Sequence, residues 1–191
     1  MRLRRCVSIL FASAIAPIAS ANPFASEVVS YTPGTSAATG YTDPSVALGS
    51  PERFTGEGQF PGAVTPFNAP WLPDEIVSIG RGGSLTVRFD QPVVNDPNNP
   101  FGIDLLVFSN TFFFDPDTFE PVAIAIFGQG GLIEVSADGS DWRTISGASA
   151  AGAFPSLGYS DLTDPYATSP GATLSDFTKP VDPALNWVGM N

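Results

Sequence analysis

Leu132-Ile133-Glu134-Val135-Ser136-Ala137-Asp138-Gly139-Ser140-Asp141-Trp142-Arg143-Thr144-Ile145 is the stretch whose reading decides the fold. Ile133, Val135 and Ala137 share one face of an extended chain, and Glu134, Ser136 and Asp138 share the other. That is the period-2 pattern of a half-buried strand. Asp138-Gly139 supplies turn chemistry, because glycine enters positive φ without a Cβ clash. The chain then returns through Trp142 to Ile145. The stretch therefore predicts a β-hairpin, with Trp142 turned into the core.

The same pattern recurs on either side. Ser84–Phe89 alternates Leu85, Val87 and Phe89 with Ser84, Thr86 and Arg88. Preceded by residues 76–79 and Gly80-Arg81-Gly82-Gly83, it predicts a second hairpin with a Gly-rich connection. No helix follows those glycines, so they read as a turn rather than a phosphate cradle. Residues 27–31 predict a short strand. Residues 103–108 predict a central strand covered on both faces apart from Asp104, and residues 122–127 a further strand. Residues 32–74 form a long Pro/Gly/Ser/Thr-rich connection, expected to hide short strands or to pack as a functional surface, with Phe54, Phe60, Phe67 and Trp71 as anchors. Gly and Pro number 19 each in 191 residues, which leaves little room for long helices. Together these segments predict an all-β protein, a jelly-roll-like β-sandwich of about eight strands.

The first residues read differently. Arg2, Arg4 and Arg5 precede an apolar run over residues 6–18, and Ala19-Ser20-Ala21 forms a small-residue cleavage site. This predicts a secretory signal peptide over residues 1–21, with an ordinary buried N-terminal helix as the alternative. The run is too short to span a bilayer. Residues 22–191 then form a single domain, long enough for a substantial core. Cys6, the only cysteine, lies inside the leader, and there is no histidine. After residue 21 there is consequently no material for disulfides, thiol nucleophiles, His-based triads or the common zinc sites. All 19 acidic residues lie in that region against five of the eight basic ones, a net charge of −14. Such a surface repels nucleic acid and anionic membranes and favours hard cations, or simply keeps an exported protein soluble.

Ile133 to Trp142 resembles the Val-Glu-Val-Ser-x-Asp-Gly-x-x-Trp hairpin of discoidin-like and other galactose-binding-like jelly rolls. Tyr41-Thr42-Asp43-Pro44, Ala47-Leu48-Gly49-Ser50-Pro51, Ser78-Ile79-Gly80-Arg81-Gly82-Gly83-Ser84-Leu85-Thr86-Val87, Asp104-Leu105-Leu106-Val107-Phe108-Ser109-Asn110 and Asp176-Phe177-Thr178-Lys179-Pro180-Val181-Asp182-Pro183 resemble a family of bacterial cell-surface proteins. Members often carry a C-terminal sorting tail with a Pro-Glu-Pro signal and a membrane helix. That tail and the closing Gly/Asp-rich strands are missing here, so the resemblance implies either a shortened relative or a chain truncated at its C-terminus. With the signal peptide, the expectation is a secreted or cell-surface location and no membrane insertion after signal cleavage.

Three side-chain resources bear on function. Calcium needs six to eight oxygens, which acidic loops at a sheet end can supply. The candidate metal ligands are Asp43, Asp96, Asp104 and Asn110, with Asp115, Asp117 and Glu120 as a second cluster. Asp104 is the most informative, since a carboxylate beside an apolar strand needs a partner: a cation, or backbone N–H groups at a strand end. Asp115-x-Asp117-x-x-Glu120 lacks the glycine and length of an EF-hand loop, so it reads first as a solvated acidic loop, within the acidic segment 111–120, and only second as an improvised site. The loop aromatics Tyr41, Trp71, Tyr159 and Tyr166, with Trp187, either stack on sugar faces or pin their loops to the core. The Phe112-Phe113-Phe114 run is too apolar for one strand face and is expected to cover an edge or meet a partner. Paired carboxylates would suffice for glycoside hydrolysis, but no signature singles out a pair. The expectation is a non-catalytic secreted module binding carbohydrate, matrix polymer or a protein partner, with calcium bracing its loops. The competing expectation is a structural surface protein without a dedicated ligand.

Overall fold

A computed structural model describes residues 22–55, 69–114, 124–149 and 154–155. They are mostly β and irregular, with no α-helix among the described residues. The strands, in chain order, are β1 (Ala25–Thr32), β2 (Ser84–Phe89), β3 (Phe108–Ser109), β4 (Phe112–Phe114), β5 (Ala125–Phe127), β6 (Glu134–Val135), β7 (Arg143–Thr144) and β8 (Phe154–Pro155). Single 3-10 turns occupy Pro44–Ala47 and Pro100–Gly102. The strands form four two-stranded sheets: β1–β2, β4–β5 and β6–β7 antiparallel, and β3–β8 parallel. The described residues do not show the two stacked sheets of a sandwich or jelly roll.

The long pair, β1–β2, has a register that its side chains explain. Glu27 lies opposite Arg88 and the two form an ion pair; Val28 faces Val87, and Tyr31 faces Leu85. Opposed charges and opposed apolar groups are the pairings that stabilise a ladder. The register slips between Ala25 and Glu27 and again between Val28 and Ser30, so Ser26 and Val29 are bulge residues. Val29 accordingly points to solvent. The Ser26 hydroxyl donates to the Asp90 carboxylate at 2.6 Å, fastening the far end of β2.

The Gly-rich segment before β2 does not close a hairpin with residues 76–79, as its sequence predicts. Residues 76–79 are not a strand, and the partner of β2 is β1. Gly80–Gly83 instead folds against the chain leaving β1. Gly34 N–H donates to Ile79 O at 2.8 Å, and Thr35 and Arg81 exchange backbone bonds at 3.0 and 2.8 Å. The two segments approach so closely that a Cβ on Gly34 would stand 2.2 Å from Arg81 O, and one on Gly83 would stand 2.3 Å from Ile79 O. Close backbone approach, more than turn flexibility, is what these two glycines permit.

The hairpin read from residues 132–145 forms, but shorter than its alternation suggests. Glu134 pairs with Thr144 and Val135 with Arg143, and Ile145 N–H extends the ladder to Ile133 O at 2.9 Å. Pairing stops at Val135 because the next residues build a polar loop rather than a two-residue turn. The Asp138 carboxylate accepts the N–H groups of Ser140 at 2.8 Å and Asp141 at 2.9 Å, and Gly139 adopts φ +77°. Trp142 is 42% exposed, not core; its indole N–H bends back to Gly139 O at 3.2 Å. The strand expected over residues 103–108 is confined to Phe108–Ser109. Phe112–Phe114, the apolar run expected to cover an edge or meet a partner, is itself a strand that pairs with Ala125–Phe127.

Among the described residues, the fully buried ones are Thr55, Ala69, Pro70 and Thr111. Trp71 N–H donates to Thr55 O at 3.2 Å, and the Thr111 and Ser109 hydroxyls share a bond of 2.5 Å. These bonds offset the burial of polar groups at the packed node from which Trp71 and Phe112 emerge.

Candidate functional site

The residues that leave this node form an aromatic surface. Trp71 follows the buried Ala69-Pro70 pair, and Phe112 follows the buried Thr111. The Trp71 and Phe112 rings meet edge to face, with centroids 5.9 Å apart at 65°, and Phe112 packs on Phe127 at 4.9 Å. Both arrangements suit the quadrupoles of the rings. The pairing of β4 with β5 sets Phe112 opposite Phe127 and so fixes the floor of this surface. Trp71 remains 41% exposed.

Tyr41 reaches the same place from the long connection. Its hydroxyl donates to Trp71 O at 2.5 Å, while its own carbonyl accepts Ser78 N–H at 2.7 Å. Ser78 also binds Ala38 N–H through its hydroxyl at 2.9 Å and receives the Tyr31 hydroxyl on its carbonyl at 2.7 Å. Two of the four aromatics expected to bind ligand thus come together, although 30 residues separate them in sequence. Tyr159 and Tyr166 lie outside the described residues, as does Trp187.

The long connection is held to Glu75, four residues beyond Trp71, by Arg53, a residue that sequence reasoning passed over. Its guanidinium donates to the carbonyls of Ser50 at 2.6 Å, Glu52 at 2.7 Å and Val46, while its Nε donates to Glu75 O at 2.7 Å. The Glu75 carboxylate stands 3.8 Å from Nε, and the Arg53 side chain is only 16% exposed. Burial lowers the Arg53 pKa and the Glu75 charge opposes that shift. A fork of five N–H donors suits this many carbonyls where an ammonium would not. The available signal was that Arg53 is the only basic residue between Arg5 and Arg81.

The expected metal ligands do not converge on one place. Asp96 and Asp104 come together: Asp104 Oδ1 accepts Asp96 N–H at 3.0 Å and Asn99 Nδ2 at 2.8 Å. Asp96 Oδ1 in turn accepts both the backbone and side-chain N–H of Asn98, each at 2.9 Å. Of the two partners considered for Asp104, the structure supplies the backbone N–H. Asp43 stands apart as the N-cap of the first 3-10 turn, accepting the Ser45 hydroxyl at 2.6 Å and Ser45 N–H at 2.9 Å. Those bonds hold its carboxyl below the ordinary range, the hydroxyl contributing most. Asn110 Oδ1 is buried without a hydrogen-bond partner. Asp115, Asp117 and Glu120 lie outside the described residues. Among the described residues, no three His, Cys, Asp or Glu side chains are grouped so as to hold a metal ion. No helix among them is long and apolar enough to cross a membrane.

Comparison with protein-family models, curated proteins and solved structures finds no match. The aromatic surface and its charges are therefore the basis for assigning a role.

Proposed function

We propose that this protein is a secreted or cell-surface, non-catalytic module that binds carbohydrate through the surface formed by Trp71 and Tyr41. The carrying observation is that Trp71, 41% exposed as a residue, meets Phe112 edge to face and has its backbone carbonyl bound by the Tyr41 hydroxyl. A ring held in this way loses little freedom when a sugar face stacks on it, and the cost of ordering is what usually limits binding. Matrix polymer is a ligand of the same class. Protein partners remain an alternative within the same class.

The wider reading carries the sequence resemblance with it. The domain is a jelly-roll-like, galactose-binding-like sandwich of the bacterial cell-surface type, exported by residues 1–21, with calcium bracing acidic loops. Calcium draws its support from the carboxylate-rich composition and from Asp115, Asp117 and Glu120, rather than from the paired Asp96 and Asp104. The purely structural alternative has its own observation: Phe114, Ile124, Ile126 and Phe127 are all exposed on or beside the β4–β5 ribbon. An apolar ribbon of that kind favours self-association.

A glycan array with and without chelator tests the proposal. Specific signals that Trp71→Ala abolishes are expected; binding that chelator removes assigns a role to calcium. Silence on every glycan, together with concentration-dependent assembly, would replace the binding module with the structural protein.

A further inference from the structure

Asp138-Gly139 is the only Asp-Gly bond in the chain, and there is no Asn-Gly bond. Such a bond is chemically labile, because glycine has no Cβ to keep its own nitrogen from approaching the preceding side chain. Gly139 N can attack Asp138 Cγ: an N–Cγ bond forms, a Cγ–O bond breaks, and water leaves with the amide hydrogen. The cyclic imide then takes up one water at either carbonyl, which restores aspartate or gives isoaspartate. The water lost in the first step is regained in the second, so the net change is an isomerisation that needs no other reactant.

We infer that Asp138-Gly139 is a latent site of this modification, held inactive by the turn built around Ser136 and exposed to it when that turn opens. The Ser136 hydroxyl engages both reacting groups. It accepts Gly139 N–H at 2.9 Å and Asp138 N–H at 3.3 Å, and it donates to Asp138 Oδ1 at 3.1 Å. The same carboxylate oxygen accepts Ser140 N–H at 2.8 Å and Asp141 N–H at 2.9 Å. Nucleophile and electrophile are thus each bonded to other groups, and both must turn out of those bonds before they can meet. The Trp142 indole N–H on Gly139 O, at 3.2 Å, fixes the Gly139 backbone further. The bonds from Asp141, Ser140 and Ser136 also hold the carboxyl in its anionic form, below the ordinary carboxylate range, and the anion is the poorer electrophile. Isomerisation routes the main chain through the former side-chain carbon, so this set of N–H bonds cannot re-form. The ladder beside it has only the pairs Glu134–Thr144 and Val135–Arg143, which leaves little else to restore the hairpin.

The experiment ages the full chain at neutral pH, folded in buffer and unfolded in urea, and quantifies isoaspartate at position 138 by peptide mapping. The folded chain should accumulate it more slowly by on the order of tenfold, since only molecules with the turn open react. Ser136→Ala, with its fold checked by circular dichroism, should speed the folded reaction about two- to tenfold and leave the urea rate unchanged. Ser136→Thr keeps the hydroxyl and should age as slowly as the parent. Equal rates for the folded and unfolded parent would overturn the inference. A slow folded parent with an equally slow, folded Ser136→Ala would overturn the assignment to this turn. Should the alanine variant not fold, the threonine variant decides: a folded Ser136→Thr chain that ages at the unfolded rate overturns the inference as well.

Discussion

At the scale of single residues, Arg53 carries more of the structure than any acidic residue does. It is one charge in a stretch otherwise free of basic side chains, yet it gathers the carbonyls of Val46, Ser50, Glu52 and Glu75. Removing it leaves those carbonyls without their donor, and the Glu75 carboxylate with only the Phe54 N–H at 3.3 Å, in a site that water enters poorly. Arg53→Ala is expected to lower the unfolding free energy by about 2–4 kcal/mol, with Arg53→Lys recovering less than half of that. Urea denaturation checks this through the shift in midpoint at constant slope. Equal stability of the lysine variant and the parent would show that charge alone suffices. Asp138 acts at the same scale. The N–H groups of Asp141 and Ser140 and the hydroxyls of Ser140 and Ser136 hold its carboxyl well below the ordinary value of 3.8. A depressed folded-state pKa means that this contribution is complete above the ordinary value and is lost as pH falls through the folded-state pKa. The shift of the Asp138 carboxyl carbon should thus stay flat from neutral pH down to about 5 and move only in stronger acid. Movement centred at or above pH 3.8 would contradict the turn geometry.

At the scale of elements, the close approach of residues 34 and 83 makes a sharp prediction. A Cβ at Gly34 would meet backbone at 2.2 and 2.4 Å, and neither neighbour can turn aside as a side chain would. Gly34→Ala is expected to cost about 2–4 kcal/mol, since the ladder between residues 35 and 81 must open to admit the methyl group. Gly40 is the control: it has φ +88° but open space around its Cβ direction, so Gly40→Ala should cost only about 1 kcal/mol. Thermal melts of the two variants check the contrast, and similar losses would show that backbone conformation, rather than contact, sets both. The alternation in Ser84–Phe89 revealed a strand but not its partner. Its ladder mate is more than fifty residues upstream, whereas the nearest apolar run, residues 76–79, is held by Tyr31 and Gly34 outside any strand.

At the scale of the whole molecule, charge is the dominant property. With 19 acidic and 8 basic residues, the folded chain repels itself, and salt relieves that repulsion. Raising sodium chloride from about 10 to about 300 mM should raise the melting temperature by a few degrees. Calcium added at matched ionic strength separates screening from a specific site. An equal rise means screening alone, while a larger rise that saturates means coordination by folded carboxylates. Far-ultraviolet dichroism of the chain from residue 22 should show β structure without helical minima, and a helix-dominated spectrum would contradict the strand assignments.

The sequence by itself determined that the chain is mostly β, where several of its strands lie, and that its turn at Asp138-Gly139 is polar and glycine-dependent. Each of these follows from side chains within a few residues of one another: alternation, β-branching, and a carboxylate placed to accept the next N–H groups. Only the tertiary structure decided which strands pair, that Trp142 faces outward, that Arg53 is a hub, and that Tyr41 meets Trp71 above Phe112. Those outcomes depend on contacts between residues far apart in the chain, where many pairings satisfy the local pattern equally well. The choice among them is made by packing and by the satisfaction of buried polar groups, which no short window of residues contains.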